Sequence, residues 1–353
     1  MEKPLASIII VTYNAMPYID NCLTAVLREA QAQHEIIVID NASTDGTGPY
    51  IQQQFPAVRL VCNRMNIGFA PACNQGARLA QGRYFVFLNQ DTIVYPAWLG
   101  QLLRPLQNEK GVALSTSKLL LMSQPEQINA CGLDVHFSGL SFMRGILGDA
   151  NAHNEAVAVC AVHGASFAVD GAVWHELGGF DETLFMYYEE TDFSWRAQLA
   201  GYKCVYAPTS VTLHDYKLAQ ASANAFYYSK RNRYILLLKT WRWSTLFLLL
   251  PGLVLAEVLD WGHALLIGKV GMAAKVKSYL WLAANLRKIL ALRGDAQRQR
   301  RVGDGALLQH CTGKLAAVEF QGGLVGNILT KWASLFLQQN HRIAHKICTS
   351  LHM

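Results

Sequence analysis

The run Tyr84-Phe-Val-Phe-Leu-Asn-Gln-Asp91 ends an apolar, strand-forming stretch on two amides and a carboxylate. A lone carboxylate at the end of a buried strand suits a hard divalent cation that keeps waters and is completed by phosphate oxygens. A diphosphate-linked substrate would supply those oxygens, and the metal would stabilise charge growing on the leaving diphosphate. The pattern recurs twice. Ser7-Ile-Ile-Ile-Val-Thr-Tyr-Asn14 ends on Thr12 and Asn14, and Glu35-Ile-Ile-Val-Ile-Asp40 leads into Asp40-Asn-Ala-Ser-Thr-Asp-Gly46. Asn, Asp, Ser and Gly are also ordinary turn residues, but three such ends together predict a crevice for a polar ligand.

A second group follows Gly178-Gly-Phe-Asp-Glu182. In Phe185-Met-Tyr-Tyr-Glu-Glu-Thr-Asp-Phe-Ser-Trp-Arg196, the acids Glu189, Glu190 and Asp192 crowd a helix start, where the macrodipole favours carboxylates. That can be mere decoration of a helix N-terminus. An aromatic-flanked carboxylate can also have its pKa raised by desolvation and serve as a general base. His214 ends the apolar segment Cys204 to Leu213. A histidine alone is more often structural than catalytic, and it gains interest from the metal and diphosphate already inferred. There is no GxGxxG after the first strand and no GxxxxGK[ST], so a dinucleotide oxidoreductase and a P-loop enzyme are both unsupported.

The elements that must position these groups read as alternating strand and helix. Strands are expected at about 6–13, 35–40, 58–62 and 84–88, with helices at about 17–30, 46–54 and 69–80. Pro17 near the first helix start and Gly82 beyond the third helix supply punctuation. Such alternation implies an α/β fold with a mostly parallel sheet, in which ligands bind outside the carboxyl ends of the strands. Residues 112–215 are less regular, with short strands near 112–120 and 159–169 and a helix opening near Glu190. This middle part would complete the sheet and build the far wall of the crevice.

The chain has 353 residues, 52% of them apolar, enough for a sizeable core. Its eight cysteines are scattered without CxxC spacing or histidine clusters, which argues against a zinc site or disulfide framework and fits a reducing compartment. The first strand begins within a few residues of Met1, so no signal peptide is expected. Charge is segregated: residues 228–301 carry 14 Lys and Arg against three acids, and the rest of the chain is net acidic. Within that segment, Tyr227 to Trp243 reads as a basic, aromatic helix, followed by an apolar run, Leu246 to Ala256, broken by Pro251-Gly252. The run meets Glu257 and Asp260 well short of the ~20 apolar residues of a spanning helix, then resumes over Trp261 to Ile267. Helices lying in a bilayer interface, with Trp and Tyr at headgroup level and Lys/Arg facing anionic lipid, are favoured over a transmembrane hairpin or a soluble helical subdomain. No nucleic-acid motif accompanies the basic charge, so nucleic acid is not an expected partner. Leu324 to Phe336 is a further amphipathic stretch.

Taken together, Ser7 to Asn14, Val38 to Gly46, Asn66-Ile-Gly-Phe-Ala70 with Asn74 and Gly76, Leu88 to Asp91, Gly178 to Asp181, Glu189 to Asp192 and His214 form an ordered set. Over about residues 5 to 240 the chain resembles family-2 glycosyltransferases of the GT-A fold, in particular the bacterial rhamnosyltransferase-like branch. The resemblance implies a GT-A domain over 1–225, its nucleotide-binding half about 1–110 and its acceptor half about 111–225. A membrane-associated helical region, 226–301, and a helical tail, 302–353, would follow. It implies that Thr12, Asn14, Asp40, Asn66 and Asn74 surround the nucleotide, with Asp40 accepting from the base. Asp91 and His214 would serve a Mg²⁺ or Mn²⁺ ion and the diphosphate. Glu190 matches the family's catalytic base, usually an Asp, and Glu189 and Asp192 are rivals. Asn89 stands where the family's DxD motif has its first acid. The implied reaction is inverting transfer from a nucleotide-diphospho-sugar, dTDP-rhamnose first and UDP-hexose second, to a polyprenyl-linked saccharide at the cytoplasmic face of the inner membrane, in cell-surface polysaccharide synthesis. A nucleotidyltransferase would need a Gly-rich basic loop after the first strand, and Thr12 to Pro17 lacks one. An inactive sugar-nucleotide-binding scaffold would be expected to lose Asp91, Glu190 or His214, and all three are present. A homodimer is left open.

Overall fold

A computed structural model describes residues 3–29, 34–216, 223–315 and 324–351. Its contacts divide them into two compact units, one built from residues 1–133, 143–197 and 202–218, the other from 134–142, 198–201 and 219–353. Residues just before the expected boundary at 225 lie outside the described residues.

The first unit begins β1 (Ala6–Thr12), α1 (Ile19–Glu29), β2 (His34–Asp40), α2 (Thr47–Gln54), β3 (Arg59–Cys62), α3 (Phe69–Leu79) and β4 (Tyr84–Asn89). These seven elements fall within about two residues of the expected spans; Ala30, the expected end of the first helix, lies outside the described residues. The chain continues through β5 (Thr92–Val94), α4 (Trp98–Asn108), β6 (Val112–Leu121), β7 (Gln124–Ala130), β8 (Leu133–Val135), β9 (Ser141–Met143), β10 (Val157–Ala158), β11 (Ser166–Asp170), α5 (Gly171–Leu177), α6 (Glu189–Leu199) and β12 (Lys203–His214). The main sheet runs β10-β12-β6-β11-β4-β1-β2-β3, with β5 on β12 and β7 on β6. β1, β2, β3 and β4 are mutually parallel where they pair, and β11 enters antiparallel between β4 and β6.

Every residue of β1 is buried, as expected for a β-branched strand flanked on both edges and covered on both faces. α3 lies close on this strand: a Cβ at Gly76 would come 2.4 Å from Ile9 Cγ2. Phe87 stacks on Phe167 at 4.9 Å, Trp174 packs on Phe87 at 4.7 Å, and Phe193 packs on Trp174 at 4.8 Å. Phe193 thereby anchors α6, the helix that carries the acids. The expected strand over 159–169 is strand only from Ser166, in β11, and β10 precedes it. The largely buried run between them, Val159 to Ala165, is a loop that delivers His163 and Gly164.

The second unit contains α7 (Ala223–Thr240), α8 (Trp243–Ile267), α9 (Lys269–Ala284), α10 (Leu286–Gln299), α11 (Asp304–Leu308) and α12 (Leu324–Ser350). Pro251 does not interrupt the apolar run: α8 is one helix of 25 residues. A proline removes the hydrogen bond to the carbonyl four residues before it, here Phe247 O, and Asn340 Nδ2 donates to the next carbonyl, Leu248 O, at 3.2 Å. Among the described residues, α8 alone is long and apolar enough to cross a membrane, with mean hydropathy 1.6. Several bases expected to face outward are buried instead, including Lys230, Arg231, Arg233, Lys239, Lys275 and Arg293. They are held by carboxylates, carbonyls and rings, as where Arg231 lies 4.6 Å over Trp281 and Arg293 lies 4.1 Å over Trp243.

Candidate functional site

The ends of β1 and β2 are stitched into one floor. Thr12 Oγ1 donates to Asp40 Oδ1 at 3.0 Å, and Asn41 N donates to Thr12 O at 2.7 Å. Asp40, 4% exposed, also accepts from the hydroxyl and N–H of Ser43. Asn14, in the left-handed region at φ 51°, donates its N–H to Ser43 Oγ and accepts from Thr44 N at 2.9 Å. The loop beyond closes on Asp45, where burial pushes the carboxyl up but bonds from the Thr47 hydroxyl and the Met16 and Thr47 N–H groups outweigh it and hold the pKa low. No side chain at Gly48 crowds Asp40 Oδ2, which lies 3.4 Å from where a Cβ would stand.

The end of β4 joins this floor through Gln90, which accepts from Tyr13 N at 2.7 Å and donates to Tyr13 O at 3.3 Å. The following turn leads into β5, and the antiparallel register of β5 on β12 sets Thr92 opposite His214. His214 Nε2 consequently stands 3.6 Å from Asp91 Oδ1, and Asp215 N donates to Asp91 O at 2.9 Å. His214 Nδ1 lies 2.8 Å from Asn129 Oδ1, while Asn129 Nδ2 donates to the Met143 sulfur. An amide oxygen only accepts, so Nδ1 carries the proton and the Nε2 lone pair faces Asp91. Burial lowers the His214 pKa, against the opposing pull of Asp91 and Asp215. A neutral imidazole and a carboxylate turning two acceptors toward each other are a ready pair of cation ligands. At bond lengths of ~2.1 Å adjacent octahedral ligands stand ~3.0 Å apart, so the pair would draw together by about half an ångström around an ion, and the second partner on Nδ1 is the usual support of a metal-binding histidine. Among the described residues no three His, Cys, Asp or Glu side chains cluster around one point, so a divalent cation would take its other ligands from phosphate and water.

His163 lies beside this pair, its ring 5.9 Å from that of His214. Its Nδ1 accepts from Ala165 N at 3.1 Å, which leaves the proton on Nε2. Burial holds its pKa down to about 3, so it stays neutral. At the next residue, Gly164, a Cβ would stand 3.7 Å from the Glu190 carboxyl carbon. The loop over 159–165 thus links Asp91 and His214 on one side to Glu190 on the other.

Glu190 is the second residue of α6, which follows Phe185, Tyr187 and Tyr188, three non-glycine residues at positive φ. Such strain, about 1–3 kcal/mol each, gathers where function fixes the backbone. Burial raises the Glu190 pKa to about 7, with Asp192 adding to it and the Thr191 hydroxyl and backbone N–H groups pulling back. Glu189 is held well above the usual carboxylate range by its own burial and then by Glu190. Asp192 is committed to an ion pair. It is 1% exposed and pairs with Arg196 Nε at 2.8 Å, while Arg196 grips Leu177 O and Gly179 O at 2.7 Å. That ion pair pins α6 to the loop after α5.

Two expected nucleotide contacts have other partners. Asn74 donates to Phe180 O at 2.9 Å and to Glu182, and accepts from Phe180 N at 2.9 Å. Both ends of its amide are spent on the Gly178–Glu182 loop, so it braces the site. Asn66 Oδ1 accepts from Asn41 Nδ2 and Gly68 N, and Asn41 accepts in turn from Asn63 and Ile67 N. Sequence reading missed Asn129, His163 and Gly164, and gave Gln90 no role beyond its place among the polar residues that end β4. His163, set between an apolar run and Gly164-Ala-Ser, carried the one visible signal; Asn129 carried none, because its role depends on which strand pairs with which.

Residues 7–118 match the family described as Glycosyl transferase family 2, and residues 84–292, more than half the chain, match Glycosyl transferase family group 2. The chain belongs to glycosyltransferase family 2. An uncharacterized glycosyltransferase of Haemophilus influenzae is 29% identical over 133 residues, 37% of this chain, and the match spans 40% of that relative's length. An N-acetylglucosaminyl-diphospho-decaprenol L-rhamnosyltransferase of Mycobacterium tuberculosis is 24% identical over 233 residues, covering 59% of this chain and 75% of the relative. The crystal structure of GalNAc-T7 with UDP, GalNAc and Mn²⁺ superposes with a TM-score of 0.57 at 19% identity, covering 68% of this chain and 48% of that one. The fold of this family-2 chain is therefore GT-A.

Proposed function

We propose that this family-2 chain is an inverting glycosyltransferase that moves a sugar from a nucleoside diphosphate to a lipid-linked saccharide in cell-surface polysaccharide synthesis. The observation that supports it most is the grouping of a high-pKa carboxylate, Glu190, with the facing pair Asp91 and His214 across the short loop at His163 and Gly164. Glu190 takes the proton of the acceptor hydroxyl as that oxygen attacks the anomeric carbon from the side opposite the diphosphate, and no covalent enzyme intermediate is needed. A pKa near neutrality suits this task, since the base must be ionised yet strong enough to take a proton. Thr12, Asn14 and Asp40 hold the nucleotide, Asp40 accepting from the base. Asp91 and His214 would hold Mg²⁺ or Mn²⁺, which when bound neutralises charge developing on the diphosphate. Asn66 and Asn74 keep the surrounding loops in place, and His163 contributes a neutral donor.

The rhamnosyltransferase relative favours dTDP-rhamnose as donor, with UDP-hexose the alternative, and a polyprenyl-diphosphate saccharide as acceptor. Such acceptors reside in membrane, and the exposed apolar face of α8 supports a peripheral or monotopic position at the cytoplasmic face of the inner membrane. The test is Glu190→Gln. Transfer should fall at least 10³-fold while nucleoside diphosphate affinity, read by calorimetry, stays within about twofold. Near-normal turnover would move the base role to Glu189.

A further inference from the structure

α8 is amphipathic in the unusual sense. Its carboxylates face its helical neighbours: Glu257 accepts from Arg233 Nη2 at 3.1 Å and from the Tyr234 and Tyr279 hydroxyls and pairs with Lys275, while Asp260 pairs with Lys230, Arg233 and Lys275. Its exposed side is apolar. Phe247, Leu250, Val254, Val258 and Leu265 are each at least half exposed, and spacings of three, four, four and seven set them in one stripe. Polar residues would occupy that stripe on a helix meant for water.

A cavity of about 450 Å³ opens between α7, α8 and α9, and Val254 and Val258 belong both to the stripe and to the cavity wall. The remaining wall is mainly hydrocarbon, including Leu237, Leu246, Leu253 and Leu282. The polar groups at its edge, Arg233, Glu257 and the two tyrosine hydroxyls, are engaged with one another. A polar ligand would therefore trade bonds to water for few in return, whereas an apolar chain would remove water from itself and from the walls. The volume is in the range of small-molecule sites. Lys269 and Lys277 on α9 and Arg287 and Lys288 on α10 are exposed, cations of the kind that attract a phosphorylated headgroup.

We propose that this cavity holds a stretch of the isoprenoid chain of a polyprenyl-phosphate lipid, entering sideways from the bilayer past Val254 and Val258. The choice of isoprenoid over the acyl chain of a bulk phospholipid rests on the acceptor proposed above; the apolar chain itself does not. The whole protein, purified in mild detergent, is incubated with undecaprenyl phosphate or phosphatidylglycerol, and retained lipid is read by native mass spectrometry. Undecaprenyl phosphate should be retained at least tenfold more than phosphatidylglycerol. Leu282→Trp, which fills the cavity, should cut that retention at least tenfold, and Phe247→Ser, on the stripe away from the cavity, should leave it unchanged. Val258→Trp narrows the exposed mouth and carries the test if Leu282→Trp melts early. Equal retention of the two lipids, or unchanged retention in both tryptophan variants with wild-type melting temperature, overturns the proposal. Transfer to a water-soluble, short-chain acceptor separates the two readings: if it persists while retention fails, the cavity is wrong and the reaction stands.

Discussion

Asn129 shows how much of the proposed metal-binding pair can depend on one uncharged side chain. By accepting from His214 Nδ1 it fixes the tautomer that turns the Nε2 lone pair toward Asp91. Asn129→Leu should lower Mn²⁺ affinity, followed by electron paramagnetic resonance, by about 10–100-fold, while Asn129→Asp, which keeps the acceptor, should stay near wild type. Equal losses in both would mean a packing role alone. Glu190 carries a stability signature distinct from its chemistry. Its folded pKa is raised from 4.5 to about 7, so between those values the folded state holds a proton that the unfolded state has released. Stability is therefore lost as pH rises through that window. Glu190→Gln removes the loss and should melt like wild type near pH 4.5 but resist unfolding more at pH 8, by about 1–3 kcal/mol. A variant no more stable at pH 8 would show that the carboxylate is solvated there.

At the scale of elements, the approach between the start of α3 and the loop before α6 is set by Gly68. At φ 96° a Cβ there would stand 2.5 Å from the Phe185 ring and 2.8 Å from its carbonyl oxygen, which accepts from Phe69 N and Ala70 N. Gly68→Ala should cost about 2–4 kcal/mol and lower the melting temperature by roughly 5–10 °C; a wild-type melting curve would contradict this contact. The parallel half of the sheet was legible because β1, β2 and β4 are unbroken apolar runs that end on polar residues, so one pattern marks both strand and site. The antiparallel half was not. β5 has three residues and β10 two, too short for periodicity to register, yet β5 brings Asp91 to His214. Val159 to Ala165 has strand composition, but the loop it forms supplies His163 and Gly164. Pro251 misled in the opposite direction, because the support from Asn340 comes from a residue 89 positions away. Local chemistry was readable from spacing, while pairings between distant segments needed the fold.

For the whole molecule, six of the fourteen bases in the segment that dominates the charge pattern are turned inward. Lys230, Arg233 and Lys275 surround Glu257 and Asp260, an arrangement in which losing one partner strands a buried charge. The apolar face of α8 is thereby left outward. The first unit, by contrast, gathers polar groups at the carboxyl ends of its strands, as ligand-binding α/β sheets do. In the proposed reaction this crevice binds a nucleoside diphosphate through Asp91 and a divalent cation. The measurement that tests it most directly is the melting temperature of wild type and Asp91→Ala with dTDP, UDP, GDP and CDP, each with and without Mn²⁺. A ligand that binds only the folded state must raise it. At least one diphosphate should raise the wild-type melting temperature by several degrees only when Mn²⁺ is present, and Asp91→Ala should lose this response. No shift with any diphosphate, or a shift that survives both metal removal and Asp91→Ala, would contradict it.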